Sequence, residues 1–370
     1  MITKKRKKVI VAMSGGVDSS VSAWLLKKKK YQVEGLFMKN WEEDDTEKYC
    51  NSKQDLDDTI LVCKKLNIHL HKINFSAEYW DLVFKNFLNE YKKGNTPNPD
   101  ILCNKEIKFK IFFDYCITEL KADYIATGHY ARIKKINQKF ILLKGLDISK
   151  DQSYFLYTLN ENKLKRILFP IGYLKKVQVR KIAQKIFLNV AYKKDSTGIC
   201  FIGPRKMKSF LNLYISKKKG NITDVSGKIM GTHDGIFYYT LGQRKGLGIG
   251  GIYGKNNDPW YVVEKKIETN TLIVEQGLHN EYLLSIGVIV NNINWVNTKK
   301  IYFPFYCSIK TRYSQKDIFC IVENIDFSSI KVLFVKPSLA ITPGQSAVFY
   351  ISKICIGGGI INSRLPLLKI

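Results

Sequence analysis

A chain of 370 residues, 45% hydrophobic and 12% aromatic, can bury substantial cores, which excludes a disordered chain and leads us to expect two or three domains. Its formal charge of +28 points to a polyanionic partner, most naturally nucleic acid, although lysine-rich codon usage in an AT-rich genome gives the same surplus. No stretch approaches the roughly 20 apolar residues of a membrane span, and the apolar run after Lys4-Lys5-Arg6-Lys7-Lys8 is too short for a signal peptide.

The expected compartment is the cytoplasm, where eight cysteines are not expected to form structural disulfides. No C-x-x-C pair occurs, and no metal site is expected. The first predicted element is a buried strand over 8–13. It runs into Ser14-Gly15-Gly16-Val17-Asp18-Ser19-Ser20 and then an apolar stretch at helical spacing. A strand, glycine turn and helix aim backbone N–H groups and the positive end of a helix dipole at one spot beyond the sheet. Asp18 is unusual in a plain phosphate cradle and suits a magnesium ion that accompanies the phosphates. No lysine follows the glycines, so this is not the common P-loop. S-G-G-x-D-S instead resembles the PP-loop of the ATP pyrophosphatases, which adenylate a carbonyl oxygen and release pyrophosphate.

A second strand over 33–38 ends at Met38, on the rim where α/β sheets bind ligands; adenine contact and core packing are both open for it. Residues 41–50 read as an acidic loop, 52–66 as a helix, 68–74 as a strand and 79–92 as a helix. The loop 94–104 carries Pro97-Asn98-Pro99, and Asp100 and Cys103 leave it at the start of a helix expected over 104–120. A thiol at a helix N-terminus is expected to have a lowered pKa, whereas a buried apolar cysteine is the plainer alternative. The strand over 123–131 ends in Gly128-His129: the glycine leaves room for ATP, and the histidine faces a phosphate or RNA or is structural. A hairpin over 133–143, a helix beginning at Lys150-Asp151-Gln152 and a basic helix over 174–190 follow. Gly198 permits a sharp turn before Cys200.

Composition changes after residue 203. A basic helix is expected over 205–219, glycine-rich short strands over 222–263, and from about 278 strand runs (302–308, 317–322, 330–335, 347–351) that suggest a closed β-barrel. Arg312-Tyr313 pairs a cation with an aromatic ring, as RNA-binding surfaces do, and Gln345 places an amide in a turn. The expected fold is therefore an α/β PP-loop parallel-sheet domain (1–203), a small β-rich central domain (204–277) and a C-terminal barrel (278–370) that contacts RNA.

Seven motifs spread over nearly the whole chain carry a closer resemblance. They are S-G-G-V-D-S-S, N-P-D-I-L-C-N, A-T-G-H-Y-A, K-D-Q-S-Y-F-L, S-T-G-I-C-F-I-G, Y-T-L-G-Q-R-K-G-L-G-I-G-G and T-P-G-Q-S-A-V. Together they resemble the tRNA-specific 2-thiouridylases. The resemblance implies transfer of sulfur to C2 of a tRNA wobble uridine after ATP has adenylated its oxygen. ATP, with Mg2+, would be held by Ala12, Met13, Ser14, Gly15, Gly16, Val17, Asp18, Ser19, Met38 and Gly128. Cys200 would carry a persulfide and Cys103 would be the nucleophile that frees its sulfur, leaving a Cys103–Cys200 disulfide for a reductant to reopen. Asp100 would handle a proton or hold the base. Asn98, Pro99, Asp100, His129, Lys150, Asp151, Gln152, Arg312, Tyr313 and Gln345 would contact tRNA. A sulfur-relay protein would donate the sulfur to a monomeric enzyme. The rivals are an ammonia-transferring PP-loop synthetase, a non-catalytic basic RNA-binding protein, and delivery of sulfide from an iron–sulfur cluster on Asp100, Cys103 and Cys200.

Overall fold

The computed structural model describes residues 6–42, 51–195, 207–250, 258–297, 301–326 and 328–370. In chain order the first domain contributes β1 (Lys8–Met13), α1 (Val17–Lys28), β2 (Gln32–Lys39), α2 (Asn51–Leu66), β3 (Leu70–Asn74), two long helices α3 (76–92) and α4 (99–118), β4 (Tyr124–Ala126), the hairpin β5 (Ala131–Ile136) and β6 (Lys139–Lys144), β7 (Ile167–Leu168) and α5 (Lys176–Lys185). Five of these strands form a parallel sheet in the order β3-β2-β1-β4-β7. β1 lies at its centre and is apolar on both faces, as a strand covered from both sides must be. Val9, Val11 and Met13 pack into one core, Ile10 and Ala12 into the other. The strand order reverses between β1 and β4, so the crevice beyond their carboxyl ends is the expected ligand site of such a sheet.

Two helices depart from the regular α form. α3 contains a π turn at Trp80–Phe84, and α4 a π stretch at Cys103–Ile111. α4 begins earlier than its apolar periodicity suggests: Asn98 caps it by accepting the Asp100 N–H at 3.2 Å, and Pro99 takes the first helical position. α5 is shorter than the expected 174–190, ending just before Phe187, which adopts a left-handed backbone at φ 54°.

The central domain opens with a short helix, α6 (Met207–Leu211), where a longer basic helix over 205–219 was expected. Phe210 and Leu211 are buried, whereas Lys217-Lys218-Lys219 has no face to bury and runs extended into the next strand. That strand, β8 (Gly220–Asp224), joins β9 (Ile229–His233), β10 (Trp260–Lys266) and β11 (Thr271–Gln276) in the order β10-β11-β8-β9.

Six strands then close a barrel: β12 (Leu284–Trp295), β13 (Phe305–Lys310), β14 (Ile318–Asn324), β15 (Ser329–Leu339), β16 (Ser346–Ile351) and β17 (Ile354–Pro366), with β12 pairing to both β15 and β17. Its two longest strands, β12 and β17, lie outside the strand runs read from the sequence, and β17 carries Gly357-Gly358-Gly359. Those glycines are needed where neighbouring strands press in: a Cβ on Gly357 would lie 2.5 Å from the Asn294 carbonyl oxygen, and one on Gly359 would lie 2.6 Å from that of Asn291. The hairpin β5–β6 adds to the barrel through Leu143 opposite Ile354, and the Lys144 ammonium meets Asp317 Oδ1 at 2.7 Å. Among the described residues no helix is long and apolar enough to cross a membrane.

Candidate active site

The turn after β1 is built for close approach. Gly15 has φ +67°, and a Cβ there would lie 2.5 Å from the Asp55 carbonyl oxygen of α2, so any side chain is excluded twice over. Gly16 is the extended N-cap of α1; its carbonyl accepts the hydroxyls of Ser19 at 3.1 Å and Ser20 at 2.8 Å. The Ser14 and Ser19 hydroxyls stand 3.3 Å apart. These bonds fix the loop, and the first turn of α1 points its N–H groups into the crevice.

The other wall follows β4. A Cβ on Gly128 would sit 2.7 Å from the Ser19 backbone nitrogen. The glycine is thus required by the packing of its loop on the start of α1. His129 is buried and joins the Thr127 hydroxyl through Nδ1 at 2.7 Å, its ring 5.9 Å from Phe109 and 6.0 Å from Phe169. Burial, and then the Lys108 charge, push its pKa well below the ordinary histidine value, so it is a neutral ring and not a cation facing phosphate.

An ion network that the sequence does not announce ties the two walls together. Asp18 accepts the Tyr130 hydroxyl at 2.8 Å and the Lys176 ammonium of α5 at 2.7 Å. Lys176 also meets Asp195 at 2.8 Å, and Asp195 binds Lys150 at 2.8 Å and Arg180 at 2.7 Å. Burial alone would raise the Asp195 carboxyl, but bonds from Lys150 and Lys176 outweigh it and hold the pKa at about 2. Three cations meet two carboxylates, leaving a positive surplus beside the anion-binding turn. Lys176 lies 158 positions from Asp18, so no local spacing betrays the pair.

Cys103 does not stand at the helix N-terminus. With α4 starting at Pro99, it sits in the second turn and is buried at 3% exposure, beyond the reach of the dipole effect expected for it. It opens the π stretch instead, in which the backbone N–H of residue i+5 bonds to the carbonyl of residue i. Lys108 is the cation that sequence reading missed, since π geometry leaves no periodic signature. Its charge acts on both His129 and Asp100. Burial raises the Asp100 carboxyl above its ordinary value, and the Lys108 charge only partly offsets this. The buried Asn104 amide donates to the Phe155 carbonyl at 3.3 Å, while its Oδ1 has no partner among the described residues.

The remaining candidates are partly committed to internal contacts. Met38 is half-buried near the end of β2, paired in register with Ile73 and packed on the core. Lys150-Asp151-Gln152 lies between two short 3-10 turns, not at the start of a longer helix. Asp151 is buried and accepts the Gly145 N–H at 2.9 Å and the Ser153 N–H at 3.1 Å, and Gln152 accepts the Tyr130 N–H at 2.9 Å. Arg312 donates to the Leu241 and Ala340 carbonyls and, at 2.9 Å, to the Thr342 hydroxyl; Tyr313 packs 4.7 Å from Phe155. Gln345 donates to the Thr96 carbonyl at 2.6 Å. Asp151 and Arg312 therefore hold loops in place instead of presenting free side chains to RNA. Cys200 lies outside the described residues, as does the acidic stretch 43–50.

Two cavities open near these groups. One of about 830 Å³, at the carboxyl ends of β2 and β3, is lined by Phe37, Lys39, Gln54, Ile73 and Asn74 and is large enough for a nucleoside. Another, of about 630 Å³, separates Asn98 and Pro99 from Asn294 and Ser346 of the barrel.

Comparison with known proteins agrees with this three-part layout. Residues 7–204 match the family described as tRNA methyl transferase HUP domain, 208–276 its PRC-barrel domain, and 285–361 the aminomethyltransferase beta-barrel domain. A tRNA-specific 2-thiouridylase of Buchnera aphidicola from Acyrthosiphon pisum is 70% identical over 368 residues, covering 100% of both chains. Its counterpart in Salmonella typhi is 57% identical over 366 residues, covering 99% of this chain and 100% of that one. A solved 4-thiouridine synthetase–RNA complex with bound ATP aligns with 56% of this chain and 50% of its own at 17% identity, with a TM-score of 0.35. The domain descriptions speak of methyl transfer and the relatives of thiolation; the relatives decide, because their identity runs through all three domains.

Proposed function

The chain belongs to the tRNA-specific 2-thiouridylases, and from that premise we propose how its own residues carry out ATP-dependent sulfur transfer to a tRNA uridine. The activity rests on the full-length identity. The crevice in which Tyr130 and Lys176 meet Asp18 supports the assignment of residues.

The uracil C2 oxygen attacks the α-phosphorus of ATP, pyrophosphate leaves, and an O-adenylated base forms. The turn 14–19, the α1 N-terminus and the surplus charge around Lys176 receive the pyrophosphate. Asp100, with its raised pKa, takes up the uracil N3 proton or holds the base. Cys200 carries the persulfide. The Cys103 thiolate attacks the inner sulfur, hydrosulfide leaves and displaces AMP from C2, and a Cys103–Cys200 disulfide remains for an external thiol to reduce. The wobble base of a single-stranded anticodon loop unstacks at small cost to reach the crevice. A persulfide-relay protein supplies the sulfur, and the enzyme works as a cytoplasmic monomer.

Magnesium does not fit at Asp18 as this site stands. Both carboxylate oxygens are taken, by the Tyr130 hydroxyl and by the Lys176 ammonium, so no step is assigned to a metal there.

Incubating the enzyme with ATP, a labelled persulfide donor and unmodified tRNA is expected to place label in 2-thiouridine, read by nucleoside mass analysis. Cys200→Ser is expected to abolish it. Full activity in that variant, or activity that tracks a visible-range cluster absorbance, would remove the persulfide role. Lys108→Met is expected to slow sulfur transfer about 10- to 100-fold, the usual weight of one well-placed acid–base or charge contribution, and to raise the pKa of Asp100, followed by carboxyl NMR.

A further inference from the structure

The loop 94–98, which leads into α4, is held at Gly94 and Thr96 by both of the other domains. The Gly94 carbonyl accepts the ammonium of Lys265, on β10 of the central domain, which also donates to the Tyr239 carbonyl at 3.0 Å. Thr96 donates its N–H to the Pro343 carbonyl at 3.0 Å and accepts at its carbonyl the Gln345 amide of the barrel at 2.6 Å. Its hydroxyl stands 3.4 Å from that of Thr240. A Cβ on Gly344, which has φ +88°, would press within 2.9 Å of the Thr96 nitrogen. Two residues later Asn98 caps the helix that carries Asp100 and Cys103.

We propose that Lys265 is a positioning residue for sulfur transfer: by gripping Gly94 it fixes, relative to the other two domains, the start of the helix that presents Asp100 and Cys103. The inference rests on the roles given to those two residues above.

Stability does not explain this lysine. Its ammonium is buried against two uncharged carbonyls, and no carboxylate pairs with it among the described residues. Burial pushes its pKa down to about 8. A methionine would fill the same space without that desolvation, and Gly94 lines an open cavity of about 490 Å³ where water can reach its freed carbonyl. A charged group kept at such a place is accounted for by what it holds.

The test compares the full-length enzyme with Lys265→Met. The expected result is a single-turnover sulfur-transfer rate at least tenfold lower, with affinities for tRNA and for a non-hydrolysable ATP analogue within threefold. The melting temperature is expected to be unchanged or higher. Alkylation of Cys103, followed by peptide mass mapping without substrates, is expected to quicken several-fold as the helix loosens. A rate within threefold of wild type overturns the proposal, as does a rate loss matched by weaker tRNA binding or a lower melting temperature. Cys103→Ser separates the two layers: if it stays active, the underlying reading has failed, whereas an inactive Cys103→Ser beside a fully active Lys265→Met defeats only the positioning role.

Discussion

Cys103→Ser is expected to lower thiolation of tRNA on the order of 10³-fold or more while leaving pyrophosphate release on mixing with ATP and tRNA close to wild type. The asymmetry follows from the fold. The phosphate cradle belongs to the β1–α1 turn, whereas Cys103 belongs to the second turn of α4. A serine is close in volume to the buried thiol but carries a hydroxyl into the core, so the melting temperature should fall modestly without loss of the fold. The hydroxyl, however, cannot attack a sulfur–sulfur bond at neutral pH. Pyrophosphate release measured beside nucleoside mass analysis checks the division; loss of both activities together would mean that Cys103 serves the cradle.

Lys176→Met is the second large effect. The ammonium is mostly buried between Asp18 and Asp195, so its removal takes the cation from Asp18, while Asp195 keeps Lys150 and Arg180, and should destabilise the protein by about 2 kcal/mol, read from denaturant unfolding. It should also weaken ATP by about tenfold relative to adenosine, because the lost charge stands next to the phosphate-binding turn. The acid side of the stability curve gives an independent reading. Asp195 has a pKa of about 2 in the folded protein against an ordinary carboxyl value of 3.8, so its contribution is present above pH 3.8 and is lost as pH falls toward 2. Without Lys176 the depression shrinks, and acid unfolding should set in at higher pH.

The elements that position chemistry by local pattern are legible in the sequence. A β-branched run, a paired glycine and a helical spacing place the cradle at residues 8–28, and the structure has β1, Gly15 and α1 there. What stays hidden depends on distant pairing or on irregular backbone. The π stretch that carries Lys108 has no period to detect, and one extra helical turn, Pro99–Leu102, is enough to move Cys103 from a helix start to an interior. Arg312 and Gln345 look like exposed RNA contacts in a linear reading, yet the Arg312 guanidinium and the Gln345 amide bond to main-chain carbonyls across domain boundaries. Nothing in the residue types separates those two uses of a polar side chain.

The hairpin that extends the barrel through Leu143 and Ile354 makes the C-terminal barrel a poor spare part. A fragment beginning at residue 284 would have β17 without that neighbour and Asp317 without Lys144. Recombination between relatives that swaps the barrel alone would tear a shared seam, so chimaeras should survive when residues 131–144 travel with it.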